Sequence, residues 1–314
     1  MKRYIAARLV IVIPTLIGVL LSVFLILRLV PGDPAAIMLG KNATDEQIRL
    51  FREQNGLDKN IGVQMVIVLK KFAKGDLGNS IASGRPVLDM ILERFPRTAE
   101  LAICGVLLGA AIGILQGIIA AVYRGRWPDL TITTLSTIGM SVPSFYIAML
   151  VLLVFAVKLK WIPVIATEGP GVSHFKAMIA PVLTMVLGGS ALTVRTTRSA
   201  MLEILNEDFI LTARAKGVRE RGVLLNHALR NAAIPIITVV GDNLASSFGG
   251  AIVIETVFVR PGIGKLLVDA INARDYPVVQ GTSVFIAFLL IFVILLTDIV
   301  YSLADPRVRL QKSE

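Results

Sequence analysis

Six apolar runs pattern the chain, near residues 9–30, 99–122, 131–157, 178–197, 233–257 and 279–303. Each is long enough to cross the roughly 30 Å of bilayer hydrocarbon, which takes about 20 helical residues. Pro181, Gly188 and Gly189 interrupt the fourth run. Lys2, Arg3 and Arg8 precede the first, as in a signal peptide. That run is too long for a typical signal h-region and no A-x-A site follows it, so it reads as an uncleaved span. The pattern predicts an all-α polytopic membrane protein with six transmembrane helices.

The polar stretches between the runs differ in length and character. Residues 31–98 read as a small helical insertion outside the membrane. Pro31-Gly32-Asp33-Pro34 makes a turn at the exit of the first span. Thr44 with Gln47 forms a capping box, and Gly56 can end the helix it starts. Ile61–Phe72 and Pro86–Phe95 are further amphipathic stretches, with Gly75–Gly84 a loop between them. The predicted organisation is 1–30 (N-terminal end and first span), 31–98 (extracytoplasmic insertion), 99–303 (five-helix core) and 304–314 (tail).

Composition supports the membrane reading. Only 17% of the 314 residues are charged, against about 25% in soluble domains, and the mean hydropathy is +0.75. The net charge of +10 is explained by Lys and Arg retained on the cytoplasmic side rather than by nucleic acid. With the N-terminus inside, the inside segments hold fifteen Lys and Arg and the two short outside loops hold six. The 31–98 insertion is too long to obey the positive-inside rule. Both termini are therefore expected in the cytoplasm. One cysteine, Cys104, and two distant histidines, His174 and His227, exclude an intramolecular disulfide and argue against a metal cluster.

The stretch Arg195–Pro235 is longer than a connection between spans requires. It carries seven basic and four acidic residues. Asn206 is a candidate N-cap, Glu207 and Asp208 sit on a first turn, Arg214 and Lys216 on a last, and Gly217 is a stop signal. The helix so defined puts Phe209 and Ala213 on one line, which Gly217 continues. A second helix follows, with Val223, Leu224, Ala228 and Leu229 on one side and Arg219, Asn226 and Arg230 on another, ending at Pro235. Two readings stand on these residues: basic helices lying on anionic lipid, or a docking surface for a cytoplasmic partner. A DNA-reading helix-turn-helix is disfavoured, because both ends are tethered to spans.

The wording of this stretch resembles a known family. EDFILTARAKG (207–217), followed ten residues later by HALRNA (227–232), is similar to the cytoplasmic loop of ABC importer permeases of the peptide/nickel branch. The wider permease pattern is EAA, three residues, Gly, nine residues, then I-x-L-P. Ala213, Gly217 and Leu229 match it in register, whereas Leu211, His227 and Arg230 stand at its Glu, Ile and Pro positions. PGDP (31–34), GDLGNS (75–80), SVPSF (141–145), PGIG (261–264), RDYPVVQ (274–280) and DPRVR (305–309) resemble further landmarks, in the family's order.

The resemblance implies a MetI-like type I importer fold in the bacterial inner membrane. It also implies a second homologous permease, two cytoplasmic ATPases that bind ATP and Mg, and an extracytoplasmic binding protein. Membrane lipid is the remaining partner, and no nucleic acid or cofactor of the chain's own is expected. The residues matched to the coupling helix and its flank are Asp208, Phe209, Ala213, Arg214, Lys216, Gly217, His227 and Arg230. No G-x-x-x-x-G-K-[ST] occurs; the nearest fragment, PGIGKL (261–266), lacks the first glycine and the Ser or Thr. The chain is thus expected to be a transport subunit rather than an enzyme. Dipeptides, oligopeptides, glutathione and nickel chelates are the substrates of similar systems, and the short 158–177 loop leans towards the dipeptide and glutathione types. An ATPase-independent secondary transporter is the alternative of a different class.

Charges inside spans are costly and are candidates for function. Asp242 and Asn243 in the fifth run, with Ser141 and Pro143 of SVPSF, are expected to line a translocation path. Glu255 and Asp298 are expected to pair structurally with other helices. Pro143 predicts a kink in the third span, and Gly188-Gly189 a loosened fourth.

Overall fold

The computed structural model describes residues 2–29, 35, 39, 43–54, 56–166 and 173–304. PGDP (31–34), DPRVR (305–309) and the basic residues of the tail lie outside these. Helices account for the described elements: α1 (Lys2–Leu29), α2 (Asp45–Gln54), α3 (Ile61–Ala73), α4 (Val87–Val122), α5 (Trp127–Ser141), α6 (Ser144–Lys158), α7 (His174–Leu205), α8 (Asp208–Ala215), α9 (Glu220–Val257), α10 (Ile263–Asn272) and α11 (Tyr276–Ala304). Among the described residues there is no strand beyond the isolated bridge between Asn79 and Pro86. Five helices are long and apolar enough to cross a membrane, and six spans result if the bent pair α5 and α6 counts as one.

Four elements differ from the pattern-based expectation, and each holds or borders a proline. The kink expected at Pro143 is a full break: α5 and α6 meet at 107°. Proline disfavours the α conformation of the residue before it, and Val142 is extended, at φ −89° and ψ 125°. Conversely, the 86–95 stretch and the second span are one 36-residue helix that runs through Pro96. Pro235 does not end a helix either. The π-helical turn Val223–Leu229 leads straight into Arg230–Val257, which contains that proline. In the fourth span, Pro181, Gly188 and Gly189 leave α7 continuous over 32 residues. In a bilayer a broken helix exposes backbone groups that nothing else satisfies, so an isolated proline is tolerated more often than it terminates.

The chain divides into two units, residues 1–98 with 261–291 and residues 99–260 with 292–314. In the first, local signals hold. Gln47 N–H donates to Thr44 Oγ1 (3.3 Å) while Gln47 Oε1 accepts from Thr44 N–H (2.9 Å), the reciprocal capping box. Gly56 takes φ +63° just beyond α2. The GDLGNS and RDYPVVQ motifs form one knot. Asp275, 3% exposed, accepts from Ser80 Oγ (2.6 Å), Ile81 N–H (3.1 Å) and Ala82 N–H (3.2 Å). Thr98 Oγ1 accepts from Ile263 N–H (2.9 Å) at the start of α10 and so anchors PGIG.

The second unit is organised on α7. More than half of its most apolar window is buried (56%), against 17–33% for the other candidate spans. Its N-terminal half packs with α6 and the end of α9 in a cluster around Ile147, Val151, Val186, Ile254 and Phe258. Its other half joins a second cluster around Met201, Ile210, Val223 and Ile236. A loop hook, Ala166 N–H to Phe258 O (2.9 Å), closes the first cluster.

The Asp275 knot carries a prediction. Asp275→Ala removes a charged acceptor from three donors, a loss of about 2–4 kcal/mol. Limited proteolysis of the purified protein should then cut within residues 75–84 at protease levels that leave the wild type intact.

Candidate functional site

The loop singled out by length and charge folds back onto the second unit's lower core. Asn206 is not the N-cap of the short helix. It ends α7 instead, its Nδ2 donating to Leu202 O (2.8 Å), and Glu207 takes the N-cap position without a side-chain bond. The C-terminal signal is realised in full. Gly217 N–H reaches Arg214 O (2.9 Å), Val218 N–H reaches Ala213 O (3.2 Å), and Gly217 has φ +78°. This is a Schellman stop, whose left-handed residue glycine fills without strain. Across the turn Arg214 pairs with Glu220 (2.7 Å), and that carboxylate holds the guanidinium above its ordinary range.

The exposed line of α8 differs from the predicted one. Ala213 is buried beside fully buried Ile210, and both pack in the cluster with Met201, Val223 and Ala228. The outward apolar groups are Phe209 and Leu211, 42% and 55% exposed. Heptad-like spacing finds a face but does not say which of two apolar faces the chain covers itself. Asp208, Lys216, Gly217 and Arg230 are exposed and His227 is half-buried. The helix is therefore a plug with its back seated in the permease's own core, and Phe209 and Leu211 are exposed on its two flanks.

Beside it lies a residue pair that sequence reasoning passed over. Arg198, counted among loop charges, lies within α7 and grips Asp129 at the start of α5 with both nitrogens, Nε to Oδ1 (2.6 Å) and Nη2 to Oδ2 (2.8 Å). Asp129 also accepts from Gly125 N–H (2.9 Å) and Thr133 Oγ1 (3.2 Å). The fork geometry fits arginine and would not survive a lysine.

Above this clamp, four glycines spaced by four line one stripe of α4 against α7. A Cβ at Gly113 would lie 3.0 Å from Ser190 O, and one at Gly117 would lie 2.9 Å from Val194 O. At Gly105 the nearest atoms belong to the Met185 side chain, 2.8 Å away, and at Gly109 Val186 Cα is 3.7 Å away. The repeated small-x-x-x-small spacing was the signal available for this contact.

A cavity of about 180 Å³ opens where α4, α6, α7 and α9 converge. Its wall is mostly apolar and made largely of small residues, Gly188 and Gly189 among them, with hydroxyls from Ser144, Ser246 and Ser247 and the amide of Asn243. Asn243 Nδ2 reaches Thr193 Oγ1 (3.2 Å) and Gly189 O (3.3 Å). The expected lining residues separate here. Asn243 faces the cavity, whereas Asp242 is exposed elsewhere on α9. Ser141 bonds back to Thr137 O (3.0 Å), and it is Ser144, not Ser141 or Pro143, that reaches the wall. Glu255 is fully buried and Asp298 half-buried.

The family model described as "Binding-protein-dependent transport system inner membrane component" matches residues 113–310. The chain belongs to that family. The companion model for the N-terminal part of these membrane components matches residues 1–102. The glutathione transport system permease protein GsiC of Escherichia coli K12 is 40% identical over 309 residues, 98% of this chain and 99% of that one. The GsiC proteins of Salmonella typhi and Shigella dysenteriae serotype 1 match to the same extent. Among solved structures, a chain of the inward-facing MetNI methionine ABC transporter superposes with a TM-score of 0.55. It is 15% identical, and the match covers 69% of this chain and 97% of that one; that likeness speaks for the fold.

This ABC importer permease is thus a multi-pass inner-membrane transport subunit. Its α4–α7 stripe yields a graded test. Gly117→Ala sets a methyl against backbone and should cost about 1–3 kcal/mol, visible as a lower unfolding temperature in detergent. Gly109→Ala, whose methyl would find its nearest neighbour, Val186 Cα, at an ordinary 3.7 Å, should leave that temperature nearly unchanged.

Proposed function

We propose that the chain is the first permease subunit of an ATP-driven importer for short peptides, glutathione among them. The observation that carries this reading is end-to-end 40% identity to GsiC. The cavity is consistent with it. At about 180 Å³ it is smaller than the roughly 300 Å³ at which small-molecule pockets begin, so a second, homologous permease supplies the other wall. Small hydroxyl and amide groups suit a path that must pass a polar peptide backbone without holding it.

Coupling follows from the two faces of α8. Two cytoplasmic ATPases, which bind ATP and Mg, receive Phe209 and Leu211 in a groove. When they close, α8 moves, and its buried back, Ile210 and Ala213, carries the motion to α7 and α9. The Asp129–Arg198 clamp keeps the α4–α5 turn moving with α7. The membrane halves then alternate between facing an extracytoplasmic binding protein and facing the cytoplasm. In this arrangement both termini lie on the ATPase side.

Gly217→Trp tests the coupling. A Cβ there meets open space, so the fold survives, but the left-handed turn is strained and the front face obstructed. Uptake of glutathione or dipeptide by the reconstituted complex should fall at least about tenfold, the effect of some 1.4 kcal/mol, with ATP hydrolysis retained. Normal uptake by that variant would sink the coupling assignment. Transport by the chain alone, without ATP, would favour a secondary transporter. For the path, Asn243→Leu should lower uptake; unchanged rate and substrate range in both Asp242→Asn and Asp242→Leu would remove Asp242 from it.

A further inference from the structure

A second cavity, of about 420 Å³, lies wholly within the first unit, walled by the end of α1, by α2 and α3, by residues 76–81 and by the start of α11. Arg28 is its central group. The guanidinium is sandwiched between the rings of Phe24 (4.8 Å) and Tyr276 (4.7 Å). Its Nε donates to Gln64 Oε1 (3.2 Å), as does Nη2. Gln64, itself 8% exposed, is fixed in turn by Leu57 O (3.3 Å) and Lys59 O (2.7 Å). The fork is therefore locked, and its remaining nitrogen, Nη1, is buried without a hydrogen-bond partner among the described residues. Gln280, on the same wall and only 3% exposed, has Nε2 in the same condition.

Buried donors are nearly always satisfied, and each exception asks for a partner. Two unmet donors on one cavity call for a ligand made of acceptors. The other charged groups of the wall are Lys59, Lys71, Glu53 and Asp76, and Asp76 Oδ1 already accepts from Gly78 N–H (2.8 Å). With Arg28 the balance favours an anion. Position selects which one. Arg28 ends the apolar run Val12–Leu29, at the level where bilayer headgroups begin. Leu25 and Leu29, beside it at helical spacing, are 48% and 81% exposed, so an apolar ridge leads up to the guanidinium.

We infer that this cavity takes the phosphate of a glycerophospholipid, whose acyl chains lie along the Leu25–Leu29 ridge. Arg28 Nη1 and Gln280 Nε2 donate to phosphate oxygens, and Lys59 and Lys71 face the rest of the headgroup. The bound lipid would tie the first span to the helical insertion and to α11, independently of what the importer carries.

The test uses the full chain, delipidated in a non-ionic detergent and titrated with dioleoylphosphatidylglycerol, read by native mass spectrometry and thermal unfolding. The wild type should bind lipid and unfold at a higher temperature with it. Arg28→Lys keeps the charge but loses the fork, and should weaken lipid binding about tenfold or more, the scale of one charge-assisted hydrogen bond. Gln280→Leu deletes the unmet amide; it should unfold no earlier than the wild type without lipid, yet gain less from lipid. Unchanged lipid affinity in both variants would overturn the assignment. So would equal protection by inorganic phosphate alone, which would make this a free-anion site. Protection by glutathione and not by lipid would make it a substrate subsite and equally refute the lipid.

Discussion

The close approach of α4 to α7 is the constraint on which the second unit depends. In a bilayer, lipid tails are as apolar as leucine, so burial of leucine against leucine gives little drive for helix association. Close van der Waals packing must supply it. Gly113 and Gly117 let α4 meet backbone carbonyls of α7 at distances no other residue allows. Because α7 is also the most buried span, errors in that contact would propagate to α6 and α9, which pack on its other sides. The Asp129–Arg198 fork fixes the register at the end of the same helix. A glycine stripe sets distance, and an ion pair with 4% exposure on its acidic side sets rotation.

The loop that carries α8 rests on that same rigid unit. An eight-residue helix is too short to be stable by itself, and α8 has no side-chain N-cap bond. Tertiary contacts hold it: Ile210 and Ala213 are inserted among residues of α7 and α9. A helix held from behind by the core transmits displacement, whereas one lying on lipid would slide. The same burial leaves Phe209 and Leu211 as the large apolar side chains that α8 itself exposes, one on each flank.

How much of this was readable from the residues depends on the range of each interaction. Five of the six spans, the Thr44–Gln47 capping box and the Gly217 stop are encoded within a few residues and stand in the structure, the third span standing only as the bent pair α5 and α6. The family landmarks were readable as words, but not the reason for them. That GDLGNS and RDYPVVQ belong together appears only when Asp275 is seen holding Ser80, 195 positions away. Asp129 with Arg198 is likewise invisible to periodicity. The glycine stripe had a local signal, a spacing of four repeated three times, and was missed because apolar runs hide it. Prolines misled in both directions: Pro143 broke a span outright, while Pro96 and Pro235 sit inside helices. Local preference sets what a proline costs, and the neighbouring helices decide whether the cost is borne.

The separation of Asp242 from Asn243 shows what a single chain contributes to a path. Adjacent residues on a helix point about 100° apart, and here Asn243 lines the cavity while Asp242 does not. Asn243 turns inward to Thr193 and Gly189, and its amide is satisfied there. Asp242 is exposed and, among the described residues, makes no ion pair. A bare carboxylate facing hydrocarbon is expensive, which argues that this face of α9 meets water or protein rather than lipid. A homologous second permease packed there would resolve both facts at once, closing the undersized cavity and covering the acid. The small cavity and the exposed acid are thus both features that a neighbouring protein on α9 would account for.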